Sequence, residues 1–127
     1  MENKNPLSPH LQIYKWQISS LLSITHRIVG VVNIIAISFI CLWTFLLLLG
    51  ADKYGNINFF LNSFFGKFTI ISLCWTFSFH ILNEIRHFVW DLGFGFDLKT
   101  AKISGILTFL GSFVLTLLFY LVGKNFF

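Results

Sequence analysis

Near the middle of the chain, four side chains that can bind metal or carry protons recur at regular intervals: His80, Glu84, His87 and Asp91. The spacing i, i+4, i+7, i+11 puts all four on one stripe of a helix that turns about 100° per residue. Arg86 stands roughly a third of a turn from that stripe. A second group lies upstream: Ser23 and Arg27 are one turn apart, with His26 between them and Gly30 one turn on. A hydroxyl, a guanidinium and an imidazole together make a set of hydrogen-bond donors for a carbonyl or a carboxylate. Arg27 alone also suits a simpler task, anchoring a helix end by snorkelling.

The elements that must position these groups read as membrane helices. Of 127 residues, 56% are hydrophobic and 11% charged, where a soluble domain carries about 25% charged. Two uncharged runs, Ile28–Ala51 of 24 residues and Ile103–Gly123 of 21, meet the roughly 20 residues that a helix needs to span a bilayer. A third, Phe68–Asn83 of 16 residues, becomes long enough only if it continues past Glu84 and Arg86 and takes the polar stripe with it. The expected fold is an all-α membrane protein of one domain, residues 1–127. It has an arm over 1–18 and transmembrane helices at about 20–50, 67–91 and 103–124. Residues 51–58 and 92–100, rich in Gly, Asn and Asp, read as connectors, and 59–65 as an interfacial segment.

Charge placement orients these spans. Lys4, Lys15, Arg27, Arg86, Lys99 and Lys102 fall on the side of the arm and second connector, against Lys53, Lys67 and Lys124 opposite. The excess assigns the arm and the stripe's lower end to the cytoplasmic or matrix face. Residues 1–17 are polar, contain Pro6 and Pro9, and resemble neither a secretory signal nor an Arg-rich presequence. Cys41 and Cys74 are 33 positions apart in apolar segments. With no C-x-x-C, they read as small buried residues. Membrane lipid is the expected surrounding, and no nucleic-acid partner is expected.

Ionisable groups at membrane depth are costly and commonly face a bundle interior or a cavity. His80 lies 11 residues before Asp91, roughly 16 Å along a helix and near the middle of a 30 Å core. An imidazole there either hydrogen-bonds a neighbouring helix or ligates haem iron, whose ring also supplies an apolar surface. By the limits of the uncharged runs, His26 is too shallow to pair with His80. That leaves a second ligand from another chain, or a His26–His87 pair within this one. For Ser23 and Arg27 at the bilayer edge, the natural carbonyl ligand is a quinone.

Three motifs occur in order: Pro-Leu-Ser-Pro-His-Leu-x-Ile-Tyr at 6–14, Ser-x-x-His-Arg at 23–27, and His-x-x-x-x-Ile-Arg-His-x-x-Trp-Asp-x-Gly at 80–93. With three spans around them, the chain resembles the cytochrome b membrane-anchor subunits of succinate dehydrogenase, respiratory complex II. The resemblance covers nearly the whole chain. It implies a haem b between two anchor subunits, with His80 as one axial ligand and the partner anchor supplying the other. It implies a ubiquinone site using Ser23 and Arg27, with Asp91 nearby, and a haem environment that includes His26, Arg86 and His87. The implied partners are a second small anchor, an iron–sulfur subunit and a flavoprotein subunit. The implied place is the mitochondrial inner membrane or the bacterial cytoplasmic membrane. Three positions depart from the family's usual pattern: Asn5 for Arg, Val29 for Ser or Thr, and Glu84 for a small residue.

The implied activity passes electrons from succinate oxidation to ubiquinone, in the tricarboxylic acid cycle and respiratory chain. This chain offers no flavin or iron–sulfur motif and so no dicarboxylate chemistry of its own. A fumarate reductase anchor would carry the same features in reverse. A small transporter or channel subunit lined by buried charges is the reading from a different class.

Overall fold

The computed structural model describes residues 15–50 and 55–126. The motif at 6–14, His10, Asn5, most of the arm and residues 51–54 of the first connector lie outside the described residues. Four helices follow in order: α1 (Ile18–Leu48), α2 (Gly55–Asn62), α3 (Phe64–Asp91) and α4 (Leu98–Phe126). Among the described residues no strand occurs. Helices α1, α3 and α4 are long and apolar enough to cross a membrane, and α2 is a short lead-in that packs on α3. At 31 residues, α1 runs about 46 Å, well beyond a hydrocarbon core of about 30 Å.

Each boundary has a local cause. Ser63 interrupts the chain between α2 and α3: its Oγ donates to the Phe60 carbonyl at 2.6 Å and accepts from the Gly66 N–H at 3.1 Å. The hydroxyl thus closes one helix and caps the next. The lower end of α3 closes in a Schellman turn, with the Gly93 N–H donating to Trp90 O at 2.8 Å and the Phe94 N–H to Val89 O at 3.2 Å. The turn needs a left-handed residue after the cap, and Gly93 supplies it at φ +88°. Helix α4 starts at Leu98, several residues before the uncharged run, because the Ala101 N–H already bonds to Asp97 O at 2.8 Å. Lys99 and Lys102 thus belong to the first turns of α4, and the connector is shorter than the sequence suggests.

Helix α3 sits in the middle and contacts the other three. Its α1 contact is a seam on α1: Leu22, Val29, Asn33 and Ala36 are buried and His26 is half-buried. Steps of four and three residues keep such a seam on one face. Leu22 and Val29 meet Phe79 in the apolar core, joined by Ile18 and Trp75. The α4 contact is built from small residues. Gly105, Thr108, Ser112 and Thr116 are buried and Ala101 and Ser104 half-buried. Ser112 and Thr116 donate their hydroxyls to carbonyls on their own helix. Small residues let helix backbones approach closely where lipid offers no hydrophobic drive to associate.

Gly105 is where α4 faces Ile18 and Leu22 of α1. A Cβ there would stand 2.5 Å from Leu22 Cδ1 and 3.4 Å from Ile18 Cγ2. Gly105→Leu should cost about 1–3 kcal/mol through overpacking, read as a lower thermal midpoint of the detergent-solubilised protein. Gly123→Leu, where a Cβ meets nothing within 4 Å, should leave it unchanged.

Candidate functional site

The polar stripe of α3 meets α1 at His26. The His26 and His80 rings stack with centroids 4.5 Å apart and planes 17° apart. The His87 ring lies 5.7 Å from that of His26, tilted by 50°, and meets the Trp90 ring edge to face at 5.2 Å. Glu84 completes the group. Its Oε1 is 3.0 Å from His26 Nε2 and 3.9 Å from His80 Nε2. The shorter distance is an ion-pair distance, but the direction is not that of a hydrogen bond: His26 Nε2 is buried without a hydrogen-bond partner, as is His80 Nδ1. Gly30 of α1 faces the same ring: a Cβ there would stand in ordinary contact with His80 Cε1, at 3.7 Å.

This overturns the expected depth of His26. Judged from the uncharged run starting at Ile28, it sat at the edge of the membrane, too shallow for His80. Helix α1 begins at Ile18, so His26 is already two turns inside it. Reading depth from charge alone failed because Arg27 is carried on the exposed flank of a continuous helix. His26 therefore touches His80, from which the sequence reading separated it, as well as His87.

Arg86 goes elsewhere. Its Nε donates to Ser104 Oγ at 3.1 Å and its Nη2 to Ala101 O at 2.9 Å, while the guanidinium lies over the Trp90 ring at 4.1 Å. Buried at 7% exposure, it binds α3 to α4, a third of a turn from the histidine stripe. Among the described residues it has no carboxylate partner.

Ser23, Arg27 and Asp91 are all exposed, and no hydrogen bond or ion pair joins them to one another. They share a direction nonetheless. Helix α4 covers α1 at Ile18 and Leu22 and α3 at Arg86. At 100° per residue, Ser23 and Arg27 on α1 and Glu84 on α3 are all turned away from α4. The side chain of Glu84 is 56% exposed on that open face, against 34% for His80 and 21% for His26. The face offers hydroxyl, guanidinium, carboxylate and imidazole groups to whatever covers it.

Sequence reasoning missed two buried amides. Asn33 of α1 reaches across to Thr76 O of α3 at 3.5 Å, and Asn83 is 1% exposed with an unpartnered Oδ1. An asparagine inside an otherwise apolar run was the available signal. The small-residue stripe of α4 was also legible as Ala101, Ser104, Thr108, Ser112 and Thr116, at steps of three and four.

The family described as succinate dehydrogenase/fumarate reductase transmembrane subunit matches residues 1–119. The chain belongs to that family of membrane-spanning subunits. It is 41% identical over 120 residues to the succinate dehydrogenase cytochrome b556 subunit of Rickettsia felis, covering 93% of this chain and 92% of that one. It is 37% identical to the cytochrome b560 subunit of Marchantia polymorpha, covering 84% and 82%. It is 29% identical to the cytochrome b556 subunit of Paracoccus denitrificans, covering 92% and 90%. The resemblance read from the three motifs therefore holds across almost the full length.

The geometry of Arg86 yields a prediction that is independent of any ligand. Arg86→Lys keeps the charge but cannot hold Ser104, the Ala101 carbonyl and the Trp90 face together. Losing one such charged hydrogen bond should cost about 2 kcal/mol, visible as reduced thermal stability in detergent with the complex still assembled.

Proposed function

We propose that this chain is the cytochrome b anchor of a succinate:quinone oxidoreductase, passing electrons from succinate oxidation to ubiquinone. The observation that carries the reading is the His26–His80–Glu84–His87 cluster, flanked by Ser23 and Arg27 on a face that α4 leaves open. A transporter subunit would need its ionisable groups along a path through the bundle. Here they gather at one end of the α1–α3 seam, and Arg86 is fixed in a helix contact.

The residues suit one axial ligand to a haem b. His80 has a buried nitrogen without a partner, its side chain is about one-third exposed, and Gly30 beside it leaves no bulk over the ring. His26 is unsuited to be the opposite ligand. Imidazole lone pairs lie in the ring plane, and two stacked rings direct them side by side. A haem held by His80 would take its other ligand from the partner anchor. When bound, the haem supplies a one-electron carrier next to the quinone. His26 stacks on the His80 ring and also meets His87, and Glu84 would turn aside to admit the group. Arg86, expected in that environment, serves by fixing α4 against α3.

Quinone reduction places negative charge on a carbonyl oxygen and takes up two protons. Ser23 Oγ–H and the Arg27 guanidinium donate to that oxygen, stabilising the charge as it develops. Asp91, exposed at the end of α3, passes protons in from the aqueous face. The iron–sulfur and flavoprotein subunits dock at that face, cytoplasmic or matrix, where the N-terminal arm also lies. The second small anchor covers the open α1–α3 face. The membrane is the bacterial cytoplasmic or mitochondrial inner membrane.

Two outcomes test this. In the assembled complex, Arg27→Ala and Ser23→Ala should each lower quinone reduction by about tenfold or more, as loss of an oxyanion donor does. Succinate oxidation by an artificial dye acceptor should persist. Equal loss of both activities, or of neither, would reduce Arg27 to a membrane anchor. His80→Ala should abolish the low-spin haem absorption bands of the purified complex. A spectrum that survives His80→Ala but disappears in His26→Ala or His87→Ala would move the ligand to those residues.

A further inference from the structure

We propose that the groove between the end of α3 and the start of α4 binds one anionic phospholipid, its phosphate at Arg86 and part of one acyl chain along the apolar walls. The groove has a volume of about 340 Å³ and is lined by α3 from Leu82 to Trp90 and by α4 from Thr100 to Gly111. At 100° per residue, positions 82, 85, 86 and 89 fall on the side of α3 away from His80, Glu84 and His87. The groove is therefore separate from the histidine cluster.

Arg86 calls for an anion. It is buried and lines the groove, five residues before the end of α3, or about 7.5 Å along the helix. Its hydrogen bonds go to Ser104 Oγ and Ala101 O, both neutral, and engage two of the five N–H donors of a guanidinium. The Trp90 face attracts the cation but carries no charge to neutralise it. Among the described residues no carboxylate pairs with Arg86, and Asp91 and Asp97 at the neighbouring helix ends are exposed. A cation without a counter-ion at this depth is costly, and lipid phosphate is the anion that the membrane itself supplies near a helix end. A zwitterionic headgroup brings its own cation, so a lipid with net negative charge answers Arg86 better. The first turn of α4 adds its positive dipole end beside Thr100.

The walls beyond this mouth suit a chain. Ile85 is 55% exposed and Leu107 63%, and they face each other's helix across the groove with Leu82 and Val89. Gly111 keeps the inner end low, since a Cβ there would already stand 3.3 Å from Leu82 Cδ1. The 11 residues from Thr100 to Gly111 cover about 16 Å, half of a 30 Å hydrocarbon core and so the depth of one leaflet. The inference goes beyond the anchor reading and uses neither its haem nor its quinone, so either can fail without the other.

The test uses the complex isolated in mild detergent, stripped of lipid and titrated with phosphatidylglycerol or phosphatidylcholine, with bound lipid counted by native mass spectrometry. One phosphatidylglycerol should bind about tenfold more tightly than phosphatidylcholine, the scale of one charged hydrogen bond. Thr100→Glu places a carboxylate at the mouth, where it repels phosphate or pairs with Arg86, while suiting the first turn of a helix. It should remove that preference with the complex intact. Leu107→Trp fills the apolar wall from an exposed position and should weaken phosphatidylglycerol binding as well. Lys102→Gln makes the same change in net charge on the side of α4 turned away from the groove, and should leave binding unchanged. Equal losses in Lys102→Gln and Thr100→Glu would indicate general attraction to a basic surface and overturn the proposal. So would a wild-type complex without preference for phosphatidylglycerol, the result expected if a carboxylate of another subunit already pairs with Arg86. Millimolar inorganic phosphate should not displace the bound lipid; full displacement would make this a site for a free anion and overturn the lipid assignment.

Discussion

Close packing of α1 on α3 is the constraint from which the rest of the site follows. The seam at positions 22, 26, 29, 33 and 36 repeats every three or four residues, and Leu22 and Val29 close on Phe79. Asn33 adds a bond to the α3 backbone about one turn from Gly30. With that register fixed, His26 has one place to go, against the ring of His80. The stacking, the approach of Glu84 and the contact with His87 are consequences of the register rather than separate attractions. A shift by one residue on α1 would bring Arg27 into the seam and carry the imidazole away.

Helix α4 completes the bundle without covering the site. In a bilayer, apolar side chains gain nothing by leaving lipid for one another, so association relies on close backbone approach and polar links. Both are present at α4. Gly105 admits Leu22, the hydroxyl stripe lies against α3, and Arg86 ties Ser104 and Ala101 to the Trp90 face. This fixes α4 to the side of α3 a third of a turn from the histidines. The opposite side keeps its exposed Glu84, Ser23 and Arg27, an expensive surface to leave against lipid. A helical chain with such a face fits a subunit whose site is finished by a neighbour.

Much of this was legible in the sequence, for physical reasons that differ by residue. The stripe of His80, Glu84, His87 and Asp91 was readable because helical periodicity is fixed by backbone geometry. The separate direction of Arg86 was readable on the same arithmetic, although its partners on α4 were not. The depth of His26 was misjudged because an uncharged run marks where charge is absent, and a helix does not end where a charge begins. Arg27 rides the exposed flank and lets α1 extend to Ile18. The start of α4 at Leu98 was missed for the same reason, since lysines at a helix end can reach water with their long stems. Asn33, Asn83 and the small residues of α4 went unread because single polar residues in apolar runs announce no partner until two helices are placed together.

The account stands or falls on the depth of His26 relative to α3, which can be measured in membranes. Paired cysteines would be introduced into the chain lacking Cys41 and Cys74, and a short bifunctional thiol reagent would report which pairs are close. Packing of α1 on α3 as described predicts rapid capture of the His26→Cys, Glu84→Cys pair. It predicts none for His26→Cys with Ile85→Cys, which is exposed on another face of α3. If His26 instead lay at the membrane edge, the His26→Cys, Asp91→Cys pair would be captured and the Glu84 pair would not, and the shared site would be lost with it.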